Sequence, residues 1–441
     1  MSDDKILDIQ SSAVNCLWKI SDILRKRVVR ITGDESKEDL ARMYSWGIDN
    51  DKWSWGQYLD RVENVGVYGT SIGFQSLLIC GELVYGETLG SEIIQKSMNW
   101  LISEYENPDS RANKKDDFNL ILRVSYLVNA LSAAGYDMNT PIMERAFEFL
   151  SNAQLNEGGW GFYYFGPQEK DNNGCVICTC NALLALRHSR DFRVTNCFIK
   201  GVTWLLDQIV NVEDAGTLAL IITSLIELGV HKNLRAIQQG FSDLSKMIDN
   251  VDAWSLTQVF VSMRNNSSTF FQLGSRGYIL KALTLLDVDL FVSNKALFQQ
   301  LSETLRNIET NGSYKDSGRI WIRDVLGISD FLSTFVKTID ERQDYILLNQ
   351  RLDSLEVEYT EIHQLMRSKS FKLMRFILKC TDRIFSWFKR LYAFPISIVL
   401  LLALWLVSTR TESKGFVWAI LLAILTGIVA NLITGVRKNG K

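Results

Sequence analysis

The chain of 441 residues is 47% hydrophobic and 22% charged, with a formal net charge of −2 at pH 7, which argues against a strongly basic nucleic-acid-binding protein. Its seven cysteines are scattered and its N-terminal residues are polar, with no secretory signal, so we expect reduced thiols and a cytosolic body. Only four prolines occur, and alternating strand patterns between turn residues are not evident, so the sequence predicts an all-α fold.

From the N-terminus, residues 1–40 are predicted to form a helical extension, after which apolar helices rich in small residues recur along the chain. These segments are predicted inner helices, because they are apolar on nearly every side. They cover residues 69–83, 120–134, 176–186, 217–228, 254–263 and 322–335. Between them, the predicted outer helices carry Trp100, Phe149 and Trp204 at intervals of about 52 residues, a fixed period expected of repeated helix pairs.

The most informative motif lies in residues 145–161, where a predicted helix ends at Gln154 and Trp160 follows Gly158 and Gly159. The glycines permit a sharp turn, and the Gln154 side chain can bond to backbone groups freed at the helix end while the indole packs over it. This motif resembles the QW repeat of squalene-hopene cyclases and related α/α-toroid proteins, including prenyltransferase β-subunits. The resemblance implies an α/α toroid of six helix pairs over residues 41–338, with weaker copies of the motif at 52–56 and 312–314.

Residues 339–367 are predicted to form a coiled-coil-like helix, because apolar residues from Tyr345 to Met366 alternate spacings of three and four. Such a seam predicts either self-association through residues 345–366 or an amphipathic helix folded back on the ring. Residues 368–390 alternate basic and apolar side chains, which favours an interfacial helix at anionic lipid headgroups.

Two uncharged segments, 391–408 and 415–436, each match the length of about 20 residues that crosses a bilayer. The short link between them predicts a transmembrane hairpin over 391–436, followed by a basic tail at 437–441. Basic residues bracket the hairpin on one side, so both ends and the toroid should be cytoplasmic at the cell membrane. The lipid bilayer is therefore a predicted partner.

The familiar chemistries of the resembled families each lack a part in this sequence. No Asp-x-Asp-Asp or Asp-Asp-x-x-Asp string occurs, and Asp171 and Cys175 stand too far apart for the prenyltransferase zinc set. Cys175, Cys178 and Cys180 form a further candidate metal cluster, but only the first two share a helical face, so packing roles are expected. No catalytic residue, metal or cofactor is predicted.

A double ring leaves a central depression, and the sequence offers aromatic residues with a few polar ones to line it, as in ligand pockets generally. Individual aromatics could equally pack between helices. A buried Arg123 or Arg323 needs an anion, supplied by Asp117, by Asp324 or by a ligand phosphate or carboxylate. The candidate pocket residues are Trp55, Tyr68, Asp117, Arg123, Tyr126, Trp160, Tyr163, Asn181, Trp254, Gln258, Tyr314, Trp321 and Arg323.

Two functional hypotheses follow. In the first, a membrane-anchored toroid senses a small molecule, an isoprenoid or a protein partner, in the layout of prokaryotic phage-defence effectors that act on their own membrane. In the second, the resemblance implies a terpenoid cyclase-like or prenyltransferase-like enzyme acting on an isoprenoid substrate beside the bilayer. The first is favoured because the catalytic motifs are missing.

Overall fold

The computed structural model describes residues 3–27, 29–30, 53–55, 59, 66–84, 92–110, 113, 117–168, 173–254, 256–262, 268–311 and 320–367. Twelve principal helices lie in these ranges. The odd-numbered ones are α1 Asp3–Arg27, α3 Glu92–Glu106, α5 Pro141–Asn152, α7 Phe192–Gln208, α9 Arg235–Met247 and α11 Lys295–Asn311. The even-numbered ones are α2 Val67–Val84, α4 Ile121–Ala133, α6 Val176–Leu186, α8 Ala215–Glu227, α10 Ser275–Leu286 and α12 Ile322–Arg367.

The even-numbered helices form a closed inner ring. Helix α2 contacts α4, and the succession continues through α6 and α8 to α10. A Cβ at Gly277 of α10 would lie 2.7 Å from the backbone of Gly327, so α10 and α12 touch backbone to backbone. The ring closes where the Cys80 thiol of α2 donates to Ser329 Oγ of α12 at 3.5 Å. Inner helices are largely apolar because neighbouring helices cover most of their surface.

The odd-numbered helices form an outer ring that buries one face of each helix. In α9 the buried residues are Ile237, Gly240, Phe241 and Leu244, at the i, i+3, i+4, i+7 spacing of an amphipathic helix. Helix α1 lies within the predicted N-terminal extension but packs as an outer helix against α2 and α11. Its Cys16 thiol donates to the Leu305 carbonyl of α11 at 3.4 Å, so the double ring includes this segment.

The body is helical, as predicted, but two short two-stranded sheets interrupt it within the described residues. The predicted inner helix at 254–263 is wrong: the chain makes a 3-10 turn at Val251–Trp254 and then strand β3, Leu256–Ser262. Strand β4, Ser268–Gly274, pairs with β3 in antiparallel register, with Val259 opposite Phe271. β-Branched and aromatic residues fill both strands, which favours a pleated ladder over a helix. The inner helix of this unit is α10, which follows the hairpin.

A second two-stranded sheet joins β1, Val29–Arg30, to β2, Trp53–Ser54. Other short elements are 3-10 turns at Asp117–Asn119 and Ile209–Asn211 and a one-turn helix at Leu290–Ser293. Each lies in a connection between ring helices, where the chain reverses direction.

The end of the ring differs from the predicted boundary at residue 338. Helix α12 runs without a break through that boundary to Arg367. The chain divides into two compact units, Met1–Tyr345 and Ile346–Lys441. In the second unit Leu347, Leu348 and Leu352 are exposed on α12. Self-association through the 345–366 seam remains a prediction.

The predicted interfacial helix, transmembrane hairpin and basic tail, residues 368–441, lie outside the described residues. Over the ranges that are described, no helix is both long and apolar enough to cross a membrane.

The predicted motif at Gln154 joins neighbouring outer helices. Gln154 Nε2 donates to the Gly158 carbonyl at 2.8 Å and to the Cys197 carbonyl of α7 at 2.8 Å. The Trp160 indole N–H donates to the Leu150 carbonyl of α5 at 2.6 Å. The Gln154 side chain therefore ties the turn to the next outer helix, whereas the prediction placed its hydrogen bonds at the end of its own helix.

The same joint recurs at Trp55, whose indole N–H donates to the Leu24 carbonyl of α1 at 2.9 Å. Trp254 repeats it, donating to the Ile248 carbonyl at the end of α9 at 3.1 Å. The backbone N–H groups of Trp55 and Trp160 bond to threonine hydroxyls in the first turns of α2 and α6. An indole thus links an outer helix to the following inner helix in alternate units.

Candidate functional site

The guanidinium of Arg323 is the most unusual polar group in the ring. Arg323 is the second residue of α12 and is only 3% exposed. Among the described residues, no hydrogen-bond acceptor is placed for its Nε or its Nη2. Unsatisfied buried donors are rare and costly, particularly when they carry charge. This arginine is therefore either a cost to the fold or a binding group.

Three tyrosines from other inner helices surround Arg323: Tyr68 of α2, Tyr126 of α4 and Tyr278 of α10. Burial raises the pKa of all three hydroxyls, while the charge of Arg323 and side-chain hydrogen bonds between Arg323 and the hydroxyls oppose that rise. Tyr68 and Tyr126 meet edge to face with ring centroids 5.6 Å apart. The hydroxyls stay protonated and can donate hydrogen bonds, so this cluster presents donors around a positive charge.

Arg123, the third residue of α4, adds a second cation. Burial lowers its pKa to about 10, and the hydroxyls of Tyr68 and Tyr163 oppose that effect. Tyr68 is thus electrostatically coupled to both arginines. At neutral pH both guanidinium groups are charged, and the centre of the ring is locally positive.

The carboxylate of Asp324 offsets part of the positive charge of the two arginines and also accepts a backbone hydrogen bond. Its Oδ1 accepts a hydrogen bond from the Gly274 N–H at 2.9 Å, at the N-cap of α10. A Cβ at Gly274 would lie 2.7 Å from that oxygen, so the close approach requires glycine. The carboxylate is therefore oriented towards a helix N-terminus, where negative charge is stabilised. Asp324 anchors α10 to α12.

Asn181 on α6 contributes an amide beside Tyr126. Its Nδ2 donates to the Ile177 carbonyl at 2.9 Å, and its side chain also hydrogen-bonds to the Tyr126 hydroxyl. Asn181 thus fixes the position of one tyrosine of the cluster, and it is buried, as Tyr126 and Arg323 are.

Several predicted pocket residues have other roles. Trp55, Trp160 and Trp254 join helices, because their rings are buried and their indole N–H groups donate to helix-end carbonyls. Tyr163 stacks on Phe165 with centroids 5.8 Å apart, which places it in an aromatic cluster next to Arg123. Trp321 is half-buried just before α12.

For three further predicted pocket residues the structure describes no side chain. Asp117 begins a 3-10 turn and Gln258 lies in β3, but their side chains are outside the described part of the chain. Tyr314 lies wholly outside it. No group of three or more His, Cys, Asp and Glu in the described ranges is placed to hold a metal ion.

Sequence reasoning missed Tyr278. It follows the β3–β4 hairpin, in the unit where a helix was predicted about twenty residues too early. A period of about 52 residues counted from residue 217, the predicted start of the preceding inner helix, gives about residue 269, closer to the observed start at Ser275.

Comparison with known proteins agrees with the double ring. Residues 71–215 match the family model of the squalene-hopene cyclase C-terminal domain. Over this segment the chain is therefore similar to a family of α/α-toroid proteins. The match covers less than half of this toroid protein, and no curated protein matches its sequence.

Solved structures similar to this toroid have different activities. An alpha-1,6-mannanase, GH76A of Salegentibacter sp. HEL1_6, is 12% identical over 75% of this chain and 99% of its own, with a TM-score of 0.42. A variant of the type II terpene cyclase MstE from Scytonema, in complex with merosterolic acid A, is 14% identical over 76% of this chain and 99% of its own, with a TM-score of 0.43. A family 76 glycoside hydrolase from a bovine Bacteroides thetaiotaomicron strain is 10% identical over 75% of this chain and 78% of its own, with a TM-score of 0.41.

Proposed function

We propose that the toroid is a sensor that binds an anionic ligand at its centre, with Arg323 as the principal contact. The observation that supports this most directly is the pair of buried, unpartnered donors, Nε and Nη2. These two nitrogens present parallel N–H bonds along one edge of the guanidinium. Two oxygens of a carboxylate or a phosphate match that edge, and such charge-assisted pairs are among the strongest in proteins.

The surroundings of Arg323 favour a ligand with an acidic head and an apolar body. Tyrosine hydroxyls from three inner helices can donate to further head oxygens, and Arg123 supplies a second charge beside Tyr68. The aromatic faces of the same tyrosines suit a hydrocarbon chain or ring. An isoprenoid acid or phosphate ester combines both features.

The proposal extends to the membrane. Residues 391–436 would hold the toroid at the cytoplasmic face of the cell membrane, and residues 345–366 would gather several copies. Ligand binding in the toroid would then be reported by a hairpin in the bilayer. In the sharper form of this proposal, the hairpin itself permeabilises the membrane as a phage-defence effector.

A titration of full-length protein in detergent with inorganic diphosphate, followed by melting temperature, tests ligand binding. We expect diphosphate to raise the melting temperature of the wild type and to have no effect on Arg323→Met. Arg235→Met, which removes an exposed arginine at the start of α9, should respond like the wild type. Equal stabilisation of all three proteins would refute the site, because it would show nonspecific anion binding.

An isoprenoid enzyme is the alternative, supported by the match of residues 71–215 to a cyclase domain. Purified protein given squalene or geranylgeranyl diphosphate would then release a cyclised product detectable by mass spectrometry. The sensor proposal expects none. A product that disappears in Asp324→Asn, while the variant keeps its wild-type melting temperature, would establish the enzyme instead.

A further inference from the structure

Cys175 and Cys178 occupy the two positions at the start of α6 from which adjacent thiols can react with each other. Cys175 is the N-cap of this eleven-residue helix, with extended backbone angles, and Cys178 is its third residue. A Cys-x-x-Cys spacing across a helix N-terminus brings the two Cα atoms within about 6 Å, the range that a disulfide requires. The Cys178 side chain already hydrogen-bonds to the Cys175 sulfur.

The two cysteines differ in access and in environment. Cys175 is half-buried, whereas Cys178 is completely buried behind it. The hydrogen bond from Cys178 lowers the pKa of the Cys175 thiol, burial opposes this, and the N–H groups of Cys178 and Ile177 and the charge of Arg323 add to the lowering. Thiolate is thus favoured on the more accessible cysteine.

Other buried cysteines in the ring show the opposite behaviour. Burial raises the pKa of Cys16, Cys80 and Cys180 to about 12 in each case. Cys180 lies only two residues beyond Cys178, yet its side chain faces Ser224 of α8. A thiol of that kind is a poor nucleophile at neutral pH. Cys180 is therefore a matched control within the same peptide.

We propose that Cys175 and Cys178 are a redox-active dithiol that reacts with small-molecule disulfides. The Cys175 thiolate attacks one sulfur of the disulfide, forms a mixed disulfide and releases one thiolate. The Cys178 thiol loses its proton and attacks Cys175 Sγ, which closes the protein disulfide and releases the second thiolate. One small-molecule disulfide is reduced to two thiols, and the protein dithiol is oxidised by two electrons.

Oxidation of Cys175 and Cys178 to a disulfide would affect the packing of the ring. The Cys175 N–H donates to the Trp160 carbonyl at 2.7 Å, and the Trp160 N–H donates to Thr179 Oγ1 in the same helix turn. A disulfide that tightens the first turn of α6 would pull on this tryptophan joint. Disulfides in reducing compartments are usually transient and serve sensing or catalysis.

Oxidised glutathione with full-length protein in detergent, followed by alkylation and peptide mass spectrometry, tests the assignment. Trypsin leaves all three cysteines of α6 in one peptide, residues 171–187. In the wild type we expect that peptide to lose two hydrogens and to carry one alkyl group, on Cys180. Cys180→Ser should form the same disulfide at an unchanged rate.

The resolving role of Cys178 is tested by Cys178→Ala, which should stop at one glutathione adduct on Cys175. Cys175→Ser should form neither adduct nor disulfide. Alkylation of the reduced wild type at neutral pH should modify Cys175 more than about tenfold faster than Cys180. A wild type that forms no disulfide, or a Cys178→Ala protein that forms one through Cys180, would overturn the assignment. Melting temperatures of all variants show whether each is folded.

Discussion

Replacing Gly158 by alanine should destabilise the toroid more than the same change at any other glycine of positive φ in the described ranges. Gly158 has φ of +108°, which side chains disfavour, and a Cβ there would lie 2.6 Å from the Lys200 carbonyl oxygen. That oxygen belongs to the backbone of α7 and cannot swing away. The turn is also fixed from its other side, because Gln154 binds the Gly158 carbonyl and the Cys197 carbonyl at once.

The expected size follows from two contributions. A positive φ costs an alanine about 1–2 kcal/mol. Forcing a methyl group against rigid backbone adds about 1–3 kcal/mol. The sum is about 2–5 kcal/mol, and in a ring of this size about 2 °C is lost per kcal/mol. Gly158→Ala should therefore lower the melting temperature by roughly 4–10 °C.

Gly135→Ala is the matched control. Gly135 also has positive φ, +71°, but nothing lies within 4 Å of its Cβ position. Only the conformational cost applies, so its melting temperature should fall by roughly 2–4 °C. Thermal unfolding followed by circular dichroism measures both. Equal losses in the two variants would refute the reasoning, since they would show that the Gly158 turn does not touch α7.

Three other perturbations test the electrostatics of the ring. Arg323→Met should leave the ligand-free melting temperature unchanged or raise it, because it removes a buried charge whose Nε and Nη2 have no hydrogen-bond acceptor among the described residues. A fall of several degrees would show that Arg323 stabilises the fold. Lys281→Met should lower the free energy of unfolding, measured in urea, by about 1–3 kcal/mol. Buried Lys281 forms ion pairs with the partly exposed carboxylates of Glu227 and Asp330, which would repel each other without it. An unchanged urea midpoint would contradict this prediction. Burial and the charge of Arg187 lower the pKa of His188 from 6.5 to about 4. Between these values the unfolded chain binds the proton more readily than the folded protein, so the free energy of unfolding should be highest above pH 6.5 and fall towards pH 4. Between pH 7 and pH 5 the free energy of unfolding of the wild type should fall by about 1 kcal/mol more than that of His188→Asn. This figure is discounted because His188 is partly exposed. Parallel pH profiles of the two proteins would contradict the prediction.

The sequence predicted the double ring because Gln154 and the Gly-Gly-Trp turn resemble the QW repeat of α/α-toroid proteins and because helix pairs recur about every 52 residues. A glycine with positive φ and an indole bonded to a helix end leave few other structures open. Helix α6 was predicted to the residue, since its apolar run is bounded by Gly174 and Arg187. The match of residues 71–215 to a toroid family model agrees with that prediction.

The candidate site was only partly predictable. Arg323 stood out because a cation at the start of an apolar helix needs a partner, and the structure leaves two of its donors unsatisfied. Residue type could not separate Tyr68, which faces Arg323, from Trp55, which joins two helices, because both are aromatic residues before or within one inner helix. That distinction depends on hydrogen-bond partners from distant parts of the chain.

A diffraction measurement on crystals of the full-length protein soaked in tungstate tests the central claim most directly. The account predicts an anomalous peak at the centre of the toroid, with tungstate oxygens about 3 Å from Arg323 Nε and Nη2. The same soak of Arg323→Met crystals should show no peak there. An empty centre in the wild type would contradict the claim that this arginine is a ligand-binding group.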